Sequence, residues 1–124
     1  MKNVINWFEI YTSDFGRAKR FYTEVFKCKL QDLPVSSERH AQMEYATFQI
    51  DGSACGALVK MNEAQPGIGG TLVYFASEEI NAELNRVEAA GGKILRPKLD
   101  IGEFGFIALI QDTEGNMIGL RSMK

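Results

Sequence analysis

The chain has little of what most enzyme chemistry needs. Its 124 residues include one histidine, His40, and two cysteines, Cys28 and Cys55. A single histidine leaves no histidine pair for a metal, and no Ser-His-acid set can form without His40. No nucleophile-elbow motif occurs. Two cysteines are too few for a disulfide scaffold, and a domain of this length buries a core without one. Neither has an activating neighbour in sequence, so both read as small buried residues in a reducing compartment. Positive charge is not in excess: 14 Lys and Arg face 16 Asp and Glu, a net charge of −2. Nothing therefore draws the chain to nucleic acid or to an anionic membrane surface. Lys93, Arg96 and Lys98 are too small a basic group to change that. No apolar run approaches the roughly 18 residues of a membrane span. The N-terminus lacks the basic start, apolar stretch and cleavage site of a signal peptide, so a cytoplasmic location is expected. Gly67-Ile68-Gly69-Gly70 lacks the Lys-Ser/Thr ending of a phosphate loop.

What the chain does have is a pattern written twice. Residues 4–12 are β-branched and aromatic and predict a strand, with Phe8 and Ile10 on one face and Trp7, Glu9 and Tyr11 on the other. Ser13 and Asp14 are N-cap candidates for a helix over 15–26, whose apolar stripe is Phe15, Ala18, Phe21, Tyr22, Val25 and Phe26. A short strand near 28–33, a polar loop over 34–41, and strands at Met43–Ile50 and Cys55–Met61 about the Asp51-Gly52 turn complete the unit. A breaker-rich connector, 62–70, leads to the second copy. There the pattern predicts a strand at Thr71–Ala76, a helix over about 78–90 capped by Ser77 and ended by Gly91-Gly92, and a strand starting at Lys93–Leu95. A loop over Pro97–Glu103 and strands at Phe104–Gln111 and Met117–Ser122 about the turn 112–116 should follow.

Such a unit is too small to stand alone, so the copies should form one domain over 1–124, with modules at about 3–61 and 70–123. The fold class is α+β: two curved mixed sheets around a groove, with helices on the outer faces. Alternation turns Trp7, Glu9, Tyr11, Tyr45, Thr47, Gln49, Tyr74 and Met117 toward the groove, and Leu72 and Arg121 complete the candidate ligand-binding set. Aromatic and thioether walls suit a flat or apolar organic ligand. The same side chains could instead fill the space between sheets or lie in a dimer interface. Glu9 is the candidate acid–base group: an apolar groove would desolvate it and raise its pKa. Its plainer reading is a carboxylate paired with Arg121 or a tyrosine, or one at a wet rim. His40 reads as solvated surface, or as reaching over the groove if 34–42 folds as a lid.

The duplicated order, Trp7-Phe8-Glu9-Ile10, Ser13-Asp14, Ala18 with Phe21-Tyr22, Ala89-Ala90-Gly91-Gly92-Lys93 and Asp112-Thr113-Glu114-Gly115-Asn116 before Gly119-Leu120 carry a resemblance. The chain resembles the vicinal oxygen chelate superfamily, which includes glyoxalase I, bleomycin-resistance proteins and extradiol dioxygenases. It looks most like its small bacterial lactoylglutathione lyase-related members. The last turn is usually Asp-Pro-Glu-Gly-Asn in that family, with Thr113 here replacing proline. The resemblance implies tandem βαβββ modules, frequent homodimers, and one divalent ion held by histidine, glutamate or glutamine from the first and fourth strands of each module. Those positions here are Trp7, Ala57, Leu72 and Gly119, with Thr71 as the neighbour of Leu72, and none ligates as its counterpart does. No cofactor is therefore expected, and glyoxalase I activity falls with the metal that would polarise the substrate carbonyl.

Three readings stand. The first is a glyoxalase/bleomycin-resistance-like protein that binds a small organic molecule in the inter-module groove without the family metal, as a homodimer, with no nucleic-acid or membrane partner. The second is a metal-independent lyase, isomerase or hydrolase using Glu9 and tyrosines. The third is a metal-dependent lyase or dioxygenase with ligands relocated to Glu9, His40 or Glu44.

Overall fold

Period-two alternation sets β1 (Phe8–Tyr11) with Ile10 buried on one face and Glu9 and Tyr11 half-buried on the other. In this computed structural model, which describes residues 7–33, 43–62, 64–69 and 72–124, β1 leads into α1 (Phe15–Phe26), β2 (Lys29–Asp32), β3 (Glu44–Ile50) and β4 (Ser53–Lys60). The order then repeats as β5 (Val73–Ala76), α2 (Ile80–Val87), β6 (Lys93–Asp100), β7 (Phe106–Gln111) and β8 (Met117–Ser122). Each copy forms a four-stranded mixed sheet, β1-β4-β3-β2 and β5-β8-β7-β6. The first strand of each copy runs parallel to the last, and all other neighbours are antiparallel. This is the α+β tandem βαβββ arrangement that the patterning predicts.

The two copies share one core. Phe15, Ala18, Phe21, Tyr22 and Val25 of α1 and Ile80, Leu84 and Val87 of α2 are buried together with Phe48 and Ile118 of the sheets. Phe26 stacks on Phe75 at 4.4 Å between ring centroids. Phe8 and Phe48 meet Phe75 edge-on at 6.1 and 5.6 Å. These rings cross from one copy to the other, so separating the copies would expose them to water. Arg86 adds a polar tie, donating from Nε and Nη2 to the Val25 carbonyl at 3.0 and 2.8 Å.

A second tie comes from the turn between β7 and β8. Glu114 reaches the start of α1, more than ninety residues away in sequence. Its Oε1 accepts from the Ser13 and Asp14 backbone N–H groups at 2.9 and 2.7 Å, from Ser13 Oγ, and from Arg17 Nη2. Its Oε2 accepts from Arg17 Nε and Thr113 Oγ1, both at 2.8 Å. Asp14 is the N-cap, accepting from the Arg17 N–H at 3.0 Å. Tyr22 donates to Asp112 Oδ2 at 2.7 Å, so a phenol buried in the first copy is satisfied by the second.

Three expectations need correction. β6 runs through Pro97 to Asp100 instead of giving way to a loop over Pro97–Glu103, because as an edge strand with register shifts between Ile94 and Leu99 it does not need every backbone N–H. The α2 cap is Glu79, which accepts from the Asn81 N–H at 3.0 Å; Ser77 instead bonds Glu83. Cys55 is exposed and Cys28 half-buried, so the two are not both core residues, and both are free thiols. His40, Thr71 and the proposed lid 34–42 lie outside the described residues. No helix among the described residues is long and apolar enough to cross a membrane.

Candidate functional site

Strand register decides which side chains can meet on the face of the first sheet opposite its helix. Glu9 of β1 lies beside Ala57 of β4, and Ala57 beside Thr47 of β3; Tyr11, Val59 and Tyr45 form the next row. Because β4 presents only a methyl at Ala57, side chains from β1 and β3 can meet across it. Tyr45 does so, donating its hydroxyl to Glu9 Oε2. Tyr11 donates to Glu9 Oε1 at 3.0 Å. Burial, then the bond to Glu9, raises the Tyr45 hydroxyl to about 12, and the same causes in the same order raise Tyr11. The neighbouring Trp7 acts on the Tyr45 hydroxyl in the opposite sense, lowering its pKa. Both phenols therefore stay protonated at neutral pH and act as donors to the carboxylate.

This cluster borders a cavity of about 710 Å³. Trp7, Glu9 and Tyr11 supply one wall, and Leu72, Met117 and Asn116 of the second copy supply the other. Gln65, Gly67 and Gly69 of the connector also line it. Asn116 joins these parts. Its Nδ2 donates to the Tyr11 carbonyl at 2.8 Å and to Asp112 Oδ2 at 3.0 Å, and its Oδ1 accepts from the Gly67 N–H at 2.8 Å.

Of the candidate ligand-binding residues, Trp7, Glu9, Tyr11, Leu72 and Met117 line the cavity, and Tyr45 is joined to it through Glu9. Thr47 is buried on the same sheet face and accepts from Gln49 Nε2 at 2.6 Å. Tyr74 lies over Gly119 instead, and the exposed Arg121 places Nη2 3.5 Å from Met123 Sδ. Asn116, Gln65 and Gly67 carry no signal of this role in the sequence. They sit in a turn and a connector, where alternation assigns no facing; the turn signature marks Asn116 only as a turn residue.

The family's divalent ion does not fit these residues. Trp7, Leu72, Ala57 and Gly119 offer no donor side chain of the right kind. Ala57 is fully buried. At Gly119 the Tyr74 ring occupies the space, so that a Cβ would come within 2.3 Å of Tyr74 Cδ1. Among the described residues no three His, Cys, Asp or Glu side chains are grouped to share a metal ion. Gly119→Glu should therefore fail to install a metal site and should destabilise the fold by about 1–2 kcal/mol, as Tyr74 is pushed out. Adding Tyr74→Ala should recover part of that loss. Thermal melts with and without added Mn²⁺ check both points.

Known proteins similar to this chain identify its family. Over 119 residues, 93% of this chain, it is 32% identical to "Putative glyoxylase CFP32" of Mycobacterium tuberculosis (strain CDC 1551 / Oshkosh). Over 122 residues it is 29% identical to the anthracycline biosynthesis protein DnrV of Streptomyces peucetius. The chain spans 44% and 43% of the length of these two relatives. Among solved structures it is similar to TnmS3, an antibiotic binding protein from Streptomyces sp. CB03234, with a TM-score of 0.67, 25% identity and 98% of each chain covered. Residues 4–120 match the profile of the Glyoxalase/Bleomycin resistance protein/Dioxygenase superfamily, and the chain belongs to that superfamily.

Proposed function

We propose that this chain binds a small organic molecule in the cavity between its two modules, within a single domain, and does so without the family's divalent ion. The observation that carries this reading is the cavity itself. About 710 Å³ is ample for a drug-sized molecule, and its walls combine Trp7, Tyr11, Leu72 and Met117 with one fixed carboxylate. Supporting it, TnmS3 is described as an antibiotic binding protein. Trp7 is the chain's one tryptophan and lies on the cavity wall, so its fluorescence reports occupancy directly. Screening planar aromatic compounds should find ones that quench Trp7 and raise the melting temperature as ligand concentration rises, the stabilisation growing with its logarithm. If no compound in a broad aromatic panel does either at millimolar concentration, the reading falls.

A second reading is supported by the two phenols on Glu9. A carboxylate flanked by protonated hydroxyls can exchange a proton with a bound substrate, as a lyase, isomerase or hydrolase requires. Turnover of any bound compound that is abolished in Glu9→Gln, with binding kept, would establish it.

The protein acts as a homodimer. Tyr74 and Leu99 are exposed apolar side chains on the face of the second sheet turned away from its buried core, and a partner copy would cover them. Sedimentation should give twice the chain mass at micromolar concentration, and Leu99→Lys should shift it toward the monomer.

A further inference from the structure

We infer that the cavity is built for an organic cation: an aromatic or aliphatic ammonium seated against the Trp7 ring and the Glu9 carboxylate. The inference rests on the ligand-binding reading above and names the ligand class.

The balance of charge comes first. Glu9 is the one carboxylate among the described residues that line the cavity, and no Lys, Arg or His is among them. The balance of hydrogen-bonding groups points the same way. Both tyrosine hydroxyls spend their protons on Glu9. Asn116 uses both of its amide protons, on the Tyr11 carbonyl and Asp112, and Gln65 Nε2 donates to the Asn62 carbonyl at 3.4 Å. The phenol protons and both Asn116 amide protons are thus committed, while acceptor lone pairs and aromatic faces remain. A carboxylate or phosphate ligand would find repulsion from Glu9 and no cationic side chain among the described lining residues. An ammonium would find a negative charge, phenol oxygens and a π-face, each of which stabilises it more strongly when water is excluded.

The test uses three probes that share one ring and differ in charge: 2-naphthylmethylamine (protonated at neutral pH), 2-naphthylmethanol and 2-naphthoate. Each is titrated into the full chain by calorimetry at pH 7. The amine should bind about tenfold more tightly than the alcohol, and the naphthoate more weakly than either. Glu9→Gln should remove the preference for the amine. Met117→Lys, which adds a positive charge to the opposite wall and leaves the Glu9 cluster intact, should reverse the order. Equal binding of all three probes, or tightest binding of naphthoate, would overturn the cation assignment while leaving small-molecule binding in place. No binding of any probe would overturn both.

Discussion

Glu114→Ala should cost about 3 kcal/mol of stability, one of the largest effects open to a single substitution in this chain. The Glu114 side chain is fully buried and accepts from Ser13, Asp14, Arg17 and Thr113. Arg17 is 45% exposed, so water replaces its lost partner readily and the ion pair itself contributes little. The loss comes from the emptied space of the buried Glu114 side chain and from the Ser13 and Asp14 N–H groups, which lose their acceptor at the part-buried junction of two modules. Burial alone would raise the Glu114 pKa. The Arg17 bond, then those from Asp14, Thr113 and Ser13, overcome it and hold the carboxyl at about 2, against an ordinary 4.5. Because the folded value is the lower one, its stabilising contribution is complete above about pH 4.5 and is lost as the pH falls toward 2. Urea unfolding at pH 7 and pH 3 should show the native chain losing this contribution. Glu114→Gln should be weaker at pH 7 and less sensitive to acid over that window.

Gly105→Ala should have a comparable effect for a different reason. Gly105 has φ 97°, and an added Cβ would lie 2.2 Å from the Ser122 carbonyl oxygen, which is backbone held in the β7–β8 pairing. Neither atom can move aside without breaking the ladder, so about 3 kcal/mol or more should be lost. Gly52 is the control. It too has positive φ, at 81°, but nothing lies within 4 Å, so Gly52→Ala should cost only about 1 kcal/mol. Thermal melts of the two variants against the native chain would separate steric from conformational cost.

The fold was largely legible because its signals are local and repeated. Two apolar stripes at helical spacing and the Asp51-Gly52 and Asp112–Asn116 turns place most elements within a residue or two. Where the reading slipped, a tertiary circumstance had overruled a local rule. Pro97 is tolerated because β6 has a free edge, and Ser77 gives up its capping role to Glu79. The site was legible only as far as alternation reaches. Trp7, Glu9 and Tyr11 face one way by parity alone, and the sequence offered a tyrosine as one partner for Glu9. That two tyrosines share it depends on register across β4, where Ala57 leaves room for Tyr45 to cross. Asn116 and the connector enter the cavity through tertiary hydrogen bonds that no periodicity encodes.

The Glu114 clasp also bears on how the polypeptide assembles during synthesis. The first turn of α1 leaves the ribosome about a hundred residues before the carboxylate that completes its junction, so that junction must wait for the β7–β8 hairpin to dock. A stretch translated later thereby locks an earlier one, and a nascent chain stalled before residue 114 would still present the first module to proteases and chaperones.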